Sequence, residues 1–360
     1  MMKLEVRSKS RHYPVWIGEQ LLERCAEYWP SGEKKPGKIV VVTDHHVVST
    51  RKTQIFLETL QQMAETHLLT VTAGEASKSL ETAETIYSKL AQLQIRREDM
   101  LVAWGGGVVG DLTGFVAATY LRGLRYIQAP TTLLAHDSSL GGKVGVNLKY
   151  AKNLVGSFYS PVAIWYDVEM LESLSQRDWA SGMAEVIKHA IIGSEKLFTE
   201  LYQSPYRSYP GGSATITMLS QAMQVKIDVV EADEQEAEWR MVLNAGHTIG
   251  HAVEAKSEYR WSHGEAISIG LAVESYLAKR LGLLSEDDKQ KIIECLELHG
   301  LPTQDKGMAF DELIPYLQLD KKNSQDGWTF ALPERIGQVR IIKNIDKDLV
   351  RLAWQDNESR

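Results

Sequence analysis

Apolar residues recur along the chain with two different periods. From the start to about residue 170, short apolar runs alternate with longer amphipathic stretches. Lys38 to Thr43, Leu68 to Thr72, Met100 to Trp104, Arg125 to Ala129 and Val162 to Asp167 read as buried strands, four to eight residues rich in β-branched and aromatic side chains. Between them Thr53 to Glu65, Ser79 to Leu93 and Asp111 to Tyr120 repeat apolar residues at helical spacing. Strand and helix in this order predict βαβ units around a mainly parallel sheet. The first eighteen residues alternate loosely and suggest a hairpin at a sheet edge. Beyond residue 170 the helical period takes over, in Arg177 to Ile192, Ala214 to Glu236, Arg240 to Ala255, Gly264 to Leu281 and Glu286 to His299. Only Gly327 to Ile342 suggests a late hairpin, and residues 204–213 (SPYRSYPGGS) read as a surface loop.

A chain of 360 residues is long enough for two cores, so a mainly parallel α/β domain over 1–170 and a helical domain over 171–360 are expected, with the site in the cleft between them. No apolar run approaches the ~20 residues that span a bilayer, and no charged segment precedes an apolar stretch at the start. Cys25 and Cys295 are far apart and fit a reducing compartment, so the expected location is cytoplasmic. A net charge of −7 argues against a general nucleic-acid binder, and no membrane partner is expected.

The chemistry concentrates in residues 101–161 and in the helical half. Gly105, Gly107 and Gly110 fit G-x-G-x-x-G between a strand and a helix, where exposed N–H groups meet a pyrophosphate. The usual acidic residue some twenty positions on is missing, and Asp44, at the end of an earlier strand, is the candidate ribose carboxylate. Asp137 to Asn153 carries Asp137, Lys143, Lys152 and Asn153 among glycines and small polar residues, which reads as a flexible loop able to grip an anionic, hydroxylated ligand. Glu185 and Lys188 share a helix face, His247 and His251 share another, and His263 opens a third helix. Histidine and carboxylate converging from separate helices suit a divalent metal, and spacing alone leaves open which histidines ligate and which moves protons. Lysines set in apolar helices or beside glycine turns, as Lys188 and Lys143 are, need an anionic partner, and a phosphate and carboxylate on one small substrate would supply it.

These blocks resemble the 3-dehydroquinate synthase family. The resemblance rests on GEASKS at 74–79, GGGVVGDLTGF at 105–115, RG at 122–123, PTTLLAHDSSLGGKVGVN at 130–147, KNLVGSFYSP at 152–161, GMAEVIKHA at 182–190, RMVLNAGHTIGHAVE at 240–254, HGEA at 263–266 and DKKN at 320–323. The resemblance implies an N-terminal Rossmann-like domain, a helical C-terminal domain and a homodimer. It implies Zn²⁺ or Co²⁺ held by Glu185, His247 and His263, with His251 a non-ligand that relays protons. It implies NAD against Asp44, Glu75, Lys78, Gly107, Val108, Val109, Gly110, Asp111, Thr131, Thr132, Lys143 and Lys152. Substrate is then held by Asp137, Lys143, Lys152, Asn153, Lys188, Lys226, Arg240, Asn244 and Lys322, with Arg122 reaching the phosphate across the dimer interface. The implied reaction converts 3-deoxy-D-arabino-heptulosonate 7-phosphate to 3-dehydroquinate and phosphate.

One departure is the segment Asn147 to Asn153, NLKYAKN, where the family usually reads NHPLGKN. Lys152 and Asn153 survive, so altered loop stiffness rather than lost chemistry is expected. The alternatives are another sugar-phosphate cyclase such as 2-deoxy-scyllo-inosose synthase, a metal-dependent NAD alcohol dehydrogenase, and a degenerate relative kept for binding. Asn244, Arg240 and an intact DSSLGGK favour the dehydroquinate enzyme.

Overall fold

The structure is a computed structural model that describes residues 1–149, 151–258, 260–319 and 327–360. It divides into two compact units, Met1–Ser173 with Gly211–Ser220, and Leu174–Pro210 with Gln221–Arg360.

The first unit holds strands β1 (Met2–Arg7), β2 (His12–Gly18), β3 (Lys38–Asp44), β4 (Glu65–Val71), β5 (Met100–Gly105), β6 (Arg125–Pro130), β7 (Lys143–Leu148), β8 (Ala151–Phe158) and β9 (Ala163–Asp167). Helices α1 (His45–Val48), α2 (Arg51–Gln61), α3 (Leu80–Gln92), α4 (Gly107–Thr119) and α5 (Ala135–Ser138) run between them. Seven strands form one sheet in the order β1-β2-β9-β6-β5-β3-β4, parallel except for the β1–β2 hairpin at its edge. The unbroken apolar runs follow from burial on both faces. Val40, Val42, Leu101 and Ala103 point to the side of α3 and α4, where they meet Ile86, Leu90, Leu112 and Val116. Their neighbours Ile39, Val41, Val102 and Trp104 point the other way, onto Phe56 and Leu60 of α2.

Several boundaries differ from the sequence reading. Helix α2 ends at Gln61 and Glu65 already belongs to β4, while α4 begins four residues before Asp111. The larger correction concerns Asp137 to Asn153. This segment is not a flexible loop: β7 and β8 pair as an antiparallel ribbon after the short α5. Glycines of the ribbon are points of close approach. A Cβ on Gly156 would lie 2.4 Å from the Val144 carbonyl oxygen, and one on Gly145 would lie 2.8 Å from that of Val155. Val144 and Val146 are buried, so the ribbon has an apolar anchor. Tyr150, within the NLKYAKN departure, lies outside the described residues.

The second unit contains α6 (Gln176–Gly193), α7 (Glu195–Gln203), most of α8 (Gly212–Ala232), α9 (His247–Lys256), α10 (His263–Arg280), α11 (Glu286–Leu298), α12 (Phe310–Leu319) and α13 (Lys347–Glu358). The hairpin β10 (Trp328–Arg335) and β11 (Gln338–Ile345) lies among them. Arg240 to Ala255 is not the single helix that its periodicity suggests. A 3₁₀ turn, Trp239–Asn244, stops at Ala245, and α9 starts after Gly246 in a left-handed conformation, φ 77°. Leu271 and the Ile267 carbonyl leave no room there for a Cβ, so glycine meets both demands of the break.

Candidate functional site

In the second unit, glycine contacts bring three helices together. A Cβ on Gly264 would lie 2.0 Å from the Ser181 carbonyl oxygen, and the Gly264 N–H donates to Ser181 Oγ at 3.1 Å. This contact sets α10 against α6. Glu185, one turn beyond Ser181, therefore faces His263 at the start of α10. A Cβ on Gly270 would lie 2.0 Å from the Gly246 carbonyl oxygen, which sets α10 against the start of α9 and brings in His247.

Glu185 Oε1 lies 3.2 Å from His263 Nε2 and 3.5 Å from His247 Nε2. Donors about 2.0–2.1 Å from a tetrahedral zinc are about 3.3 Å apart, so these spacings fit one divalent cation. The outer nitrogens fit as well: His247 Nδ1 lies 3.1 Å from the Ala245 carbonyl oxygen, and His263 Nδ1 lies 3.3 Å from Glu254 Oε2. Such partners fix the tautomer and leave Nε2 as the ligand atom. The other carboxylate oxygen of Glu185 pairs with buried Lys188, which orients the group. Burial, reinforced by the Lys188 charge, pushes His247 well below the usual imidazole range, so its ring is neutral. Burial also opposes charge on His263, but hydrogen bonds to Glu185 and Glu254 outweigh it and raise it to about 9.

His251 is exposed one turn along α9, its ring 5.1 Å from that of His247 and 6.0 Å from that of His263. A second group of converging donors joins His251, Glu254 and His263. Both groups use His263, and its Nε2 is already aimed at Glu185, so they compete for one imidazole. Arg240 is buried, its backbone N–H donating to Asp233 Oδ2 at 3.1 Å and its guanidinium to the Glu234 carbonyl. Asn244 ends the same 3₁₀ turn, Lys226 is buried on α8, and Lys322 lies outside the described residues.

In the first unit the carboxyl ends of β3 and β5 straddle a switch in strand order, since the chain moves from β3 outward to β4 and then back past β3 to β5. Ligand crevices of parallel sheets form at such points. Asp44 ends β3 and accepts from the N–H groups of His46 and Val47 at 2.8 and 3.1 Å. Gly105 ends β5, and α4 starts at Gly107 with no side chain capping its first amides. A Cβ on Gly107 would lie 2.9 Å from Ser138 Oγ, and one on Gly110 would lie 2.7 Å from Gln128 Oε1, so a side chain at either position would require Ser138 or Gln128 to shift. Val108 and Val109 complete this turn, and Thr131 and Thr132 follow β6 beside it, with the Thr131 N–H donating to the Gly105 carbonyl at 3.1 Å. An uncapped helix start fits the anionic phosphates of a dinucleotide.

Lys78 joins this turn to the ribbon. Its ammonium donates to Asp111 Oδ2 at 2.5 Å and to Asn153 Oδ1 at 2.6 Å. Asn147 donates to Glu75 Oε1 at 2.7 Å and accepts from the Asn153 N–H at 3.0 Å. Glu75, Lys78, Asp111 and Asn153 thus form one network, although the resemblance divides them between cofactor and substrate. Asn147 was not singled out for a role, since an asparagine among glycines carries no distinctive spacing. Lys143 is exposed at the start of β7, Lys152 is partly buried on β8, and Asp137 lies in α5. Arg122 is exposed and left-handed, φ 63°.

Two family models cover most of the chain, "3-dehydroquinate synthase N-terminal" over residues 68–181 and "3-dehydroquinate synthase C-terminal" over residues 182–323. The chain belongs to the 3-dehydroquinate synthase family. A 3-dehydroquinate synthase from Bacillus pumilus is 39% identical, over 100% of this chain and 99% of that protein. Among solved structures, a 2-deoxy-scyllo-inosose synthase complexed with carbaglucose-6-phosphate, NAD⁺ and Co²⁺ is 26% identical, with a TM-score of 0.91 over 99% of both chains. The 2-epi-5-epi-valiolone synthase of Streptomyces hygroscopicus, with NAD⁺ and Zn²⁺ bound, is also 26% identical, with a TM-score of 0.88 over 98% of both chains. The Rossmann-like sheet followed by a helical half is the build these synthases share.

Proposed function

We propose that this chain is a 3-dehydroquinate synthase that converts 3-deoxy-D-arabino-heptulosonate 7-phosphate to 3-dehydroquinate and phosphate, using catalytic NAD and one divalent metal, Zn²⁺ or Co²⁺. The observation that carries the reading is the convergence of Glu185, His247 and His263 at metal-ligand spacing in a chain of this family. When bound, NAD accepts and returns a hydride, and the metal polarises the hydroxyl that is oxidised. NAD is held at the switch point by Asp44, Glu75, Lys78, the turn Gly107 to Asp111, Thr131 and Thr132, with Lys143 and Lys152 alongside.

The chain's own residues do the rest. Lys188 pairs with the Glu185 carboxylate and presents charge to the substrate. Arg240, buried and fixed by Asp233, offers a rigid planar donor to a carboxylate or phosphate. Asp137, Lys143, Lys152, Asn153, Lys226, Asn244, Lys322 and, from the partner of a homodimer, Arg122 complete substrate binding. Exposed His251, beside the ligand rings, accepts and returns protons during elimination and ring closure. The small anionic sugar phosphate is the only partner beyond a second copy of the chain, and the setting is the cytoplasm.

The structural likeness to 2-deoxy-scyllo-inosose synthase and the NLKYAKN segment support a second reading, a sister cyclase acting on another sugar phosphate. One experiment separates them. Phosphate release is followed with the heptulosonate phosphate or glucose 6-phosphate, catalytic NAD and Co²⁺, while absorbance reports NADH. Many turnovers on the heptulosonate without NADH build-up support the first reading. Turnover only on glucose 6-phosphate supports the second, and NADH accumulation without phosphate release refutes both.

A further inference from the structure

Helix α9 carries His247 as its first residue, yet it starts without a capping side chain, because the residue before it is Gly246. A helix start leaves backbone N–H groups that must be satisfied, and here they are buried. The partner comes from another helix. Glu274 on α10, 1% exposed, places Oε2 2.6 Å from the Gly246 N–H and Oε1 3.5 Å from the Ile249 N–H. Its charge also faces the positive end of the α9 dipole. Glu274 is one turn beyond Gly270, whose missing side chain lets the Gly246 carbonyl approach α10. The same turn of α10 therefore both admits the start of α9 and caps it.

We infer that Glu274 is a positioning residue for the metal site: it holds the first turn of α9 in the orientation that aims His247 at Glu185 and His263. The inference rests on the metal site proposed above. Glu274 meets α9 at the Gly246 and Ile249 N–H groups, so its effect on His247 passes through the backbone of Gly246 to Ile249. A neutral amide at this position keeps an acceptor and loses the charge, whereas an apolar side chain of similar size loses both and keeps the packing volume.

The test compares the full-length protein with Glu274→Gln and Glu274→Leu. Co²⁺ dissociation constants come from chelator competition, with the visible spectrum of bound Co²⁺ as a record of ligand geometry. Amide hydrogen exchange is followed over residues 246–251. Glu274→Leu is expected to weaken Co²⁺ binding about tenfold or more, to alter the spectrum and to speed exchange in 246–251, with Glu274→Gln in between. Folded Glu274→Leu with the parent affinity, spectrum and exchange overturns the inference. Should the leucine variant fail to fold, the glutamine variant decides, since parent-like affinity, spectrum and exchange in it also overturn the inference. A parent that binds no Co²⁺ refutes the metal reading instead, and the exchange comparison still decides whether Glu274 holds α9.

Discussion

Glu254 Oε2 lies 3.3 Å from His263 Nδ1, on the opposite side of the ring from Glu185. The imidazole is thus gripped at both nitrogens, by a carboxylate that shares the proposed metal and by one that does not. The second grip fixes the ring plane and makes Nε2 a better ligand. Glu254→Ala is expected to weaken Zn²⁺ binding about tenfold or more, and Glu254→Gln by less. Chelator competition on the purified protein measures this. Equal affinity in all three proteins would show that Glu254 is a bystander.

The metal-free charge of His263 sets a pH dependence. Its ring is raised to about 9, so below that pH a cation must displace a proton from it, whereas neutral His247 gives up none. Zn²⁺ affinity should therefore climb by about tenfold per pH unit between pH 6 and 8 and level off near 9. Titrations with a buffered Zn²⁺ indicator at several pH values give the slope. A flat profile would place the proton elsewhere.

His247 and His251 share α9, but only His247 faces Glu185 at ligand distance. His247→Ala should lose metal and turnover together. His251→Ala should retain metal and lose rate, because its ring belongs only to the competing group with Glu254. Metal content by elemental analysis, beside turnover, distinguishes the two. Equal metal loss in both variants would make His251 a ligand.

The sequence made the sheet readable because strands buried on both faces leave unbroken apolar runs, as in Ile39 to Val42 and Leu101 to Trp104. The metal trio was less open to reading by spacing. Glu185 lies 62 positions before His247, and His263 lies 16 after it; the three meet through Gly264 and Gly270 contacts that no periodicity records. Glycine also misled twice. Gly145 lies in a stretch that reads as loop, although it lets two strands approach, and Gly246 reads as part of a helix that it breaks. Glu274 left no signal, since its partners are backbone amides of a helix 25 to 28 positions earlier.

Phe56 tests the sheet core. Its ring is fully buried between Trp104 and Trp165, with centroids at 5.1 and 6.4 Å. Removing it leaves a cavity that rigid indoles cannot close, so Phe56→Ala should cost about 3–5 kcal/mol of stability in the first unit. Urea unfolding followed by tryptophan fluorescence reads this directly. A loss below about 1 kcal/mol would mean that the site collapses easily, against the packing described.

Asp233 sits at the turn that presents Arg240, and its carboxylate accepts from the N–H groups of Ala237, Glu238 and Arg240 at 2.9, 2.8 and 3.1 Å. Partial burial opposes its charge, but these three donors and the nearby Arg240 guanidinium outweigh that and hold it down at about 2. A depressed carboxylate contributes stability that is fully present above its unfolded value, near 4, and that is lost as pH falls through about 2. Asp233→Asn should therefore be less stable than the parent at pH 5, with the difference shrinking between pH 4 and 2 and gone below that. Because Arg240 hangs on the same turn, the variant should also raise KM for the heptulosonate phosphate more than it lowers kcat. Urea midpoints from pH 2 to 6, with steady-state kinetics at neutral pH, check both arms. A stability gap as large at pH 2 as at pH 5 would mean that the amide fails for steric reasons rather than for want of charge.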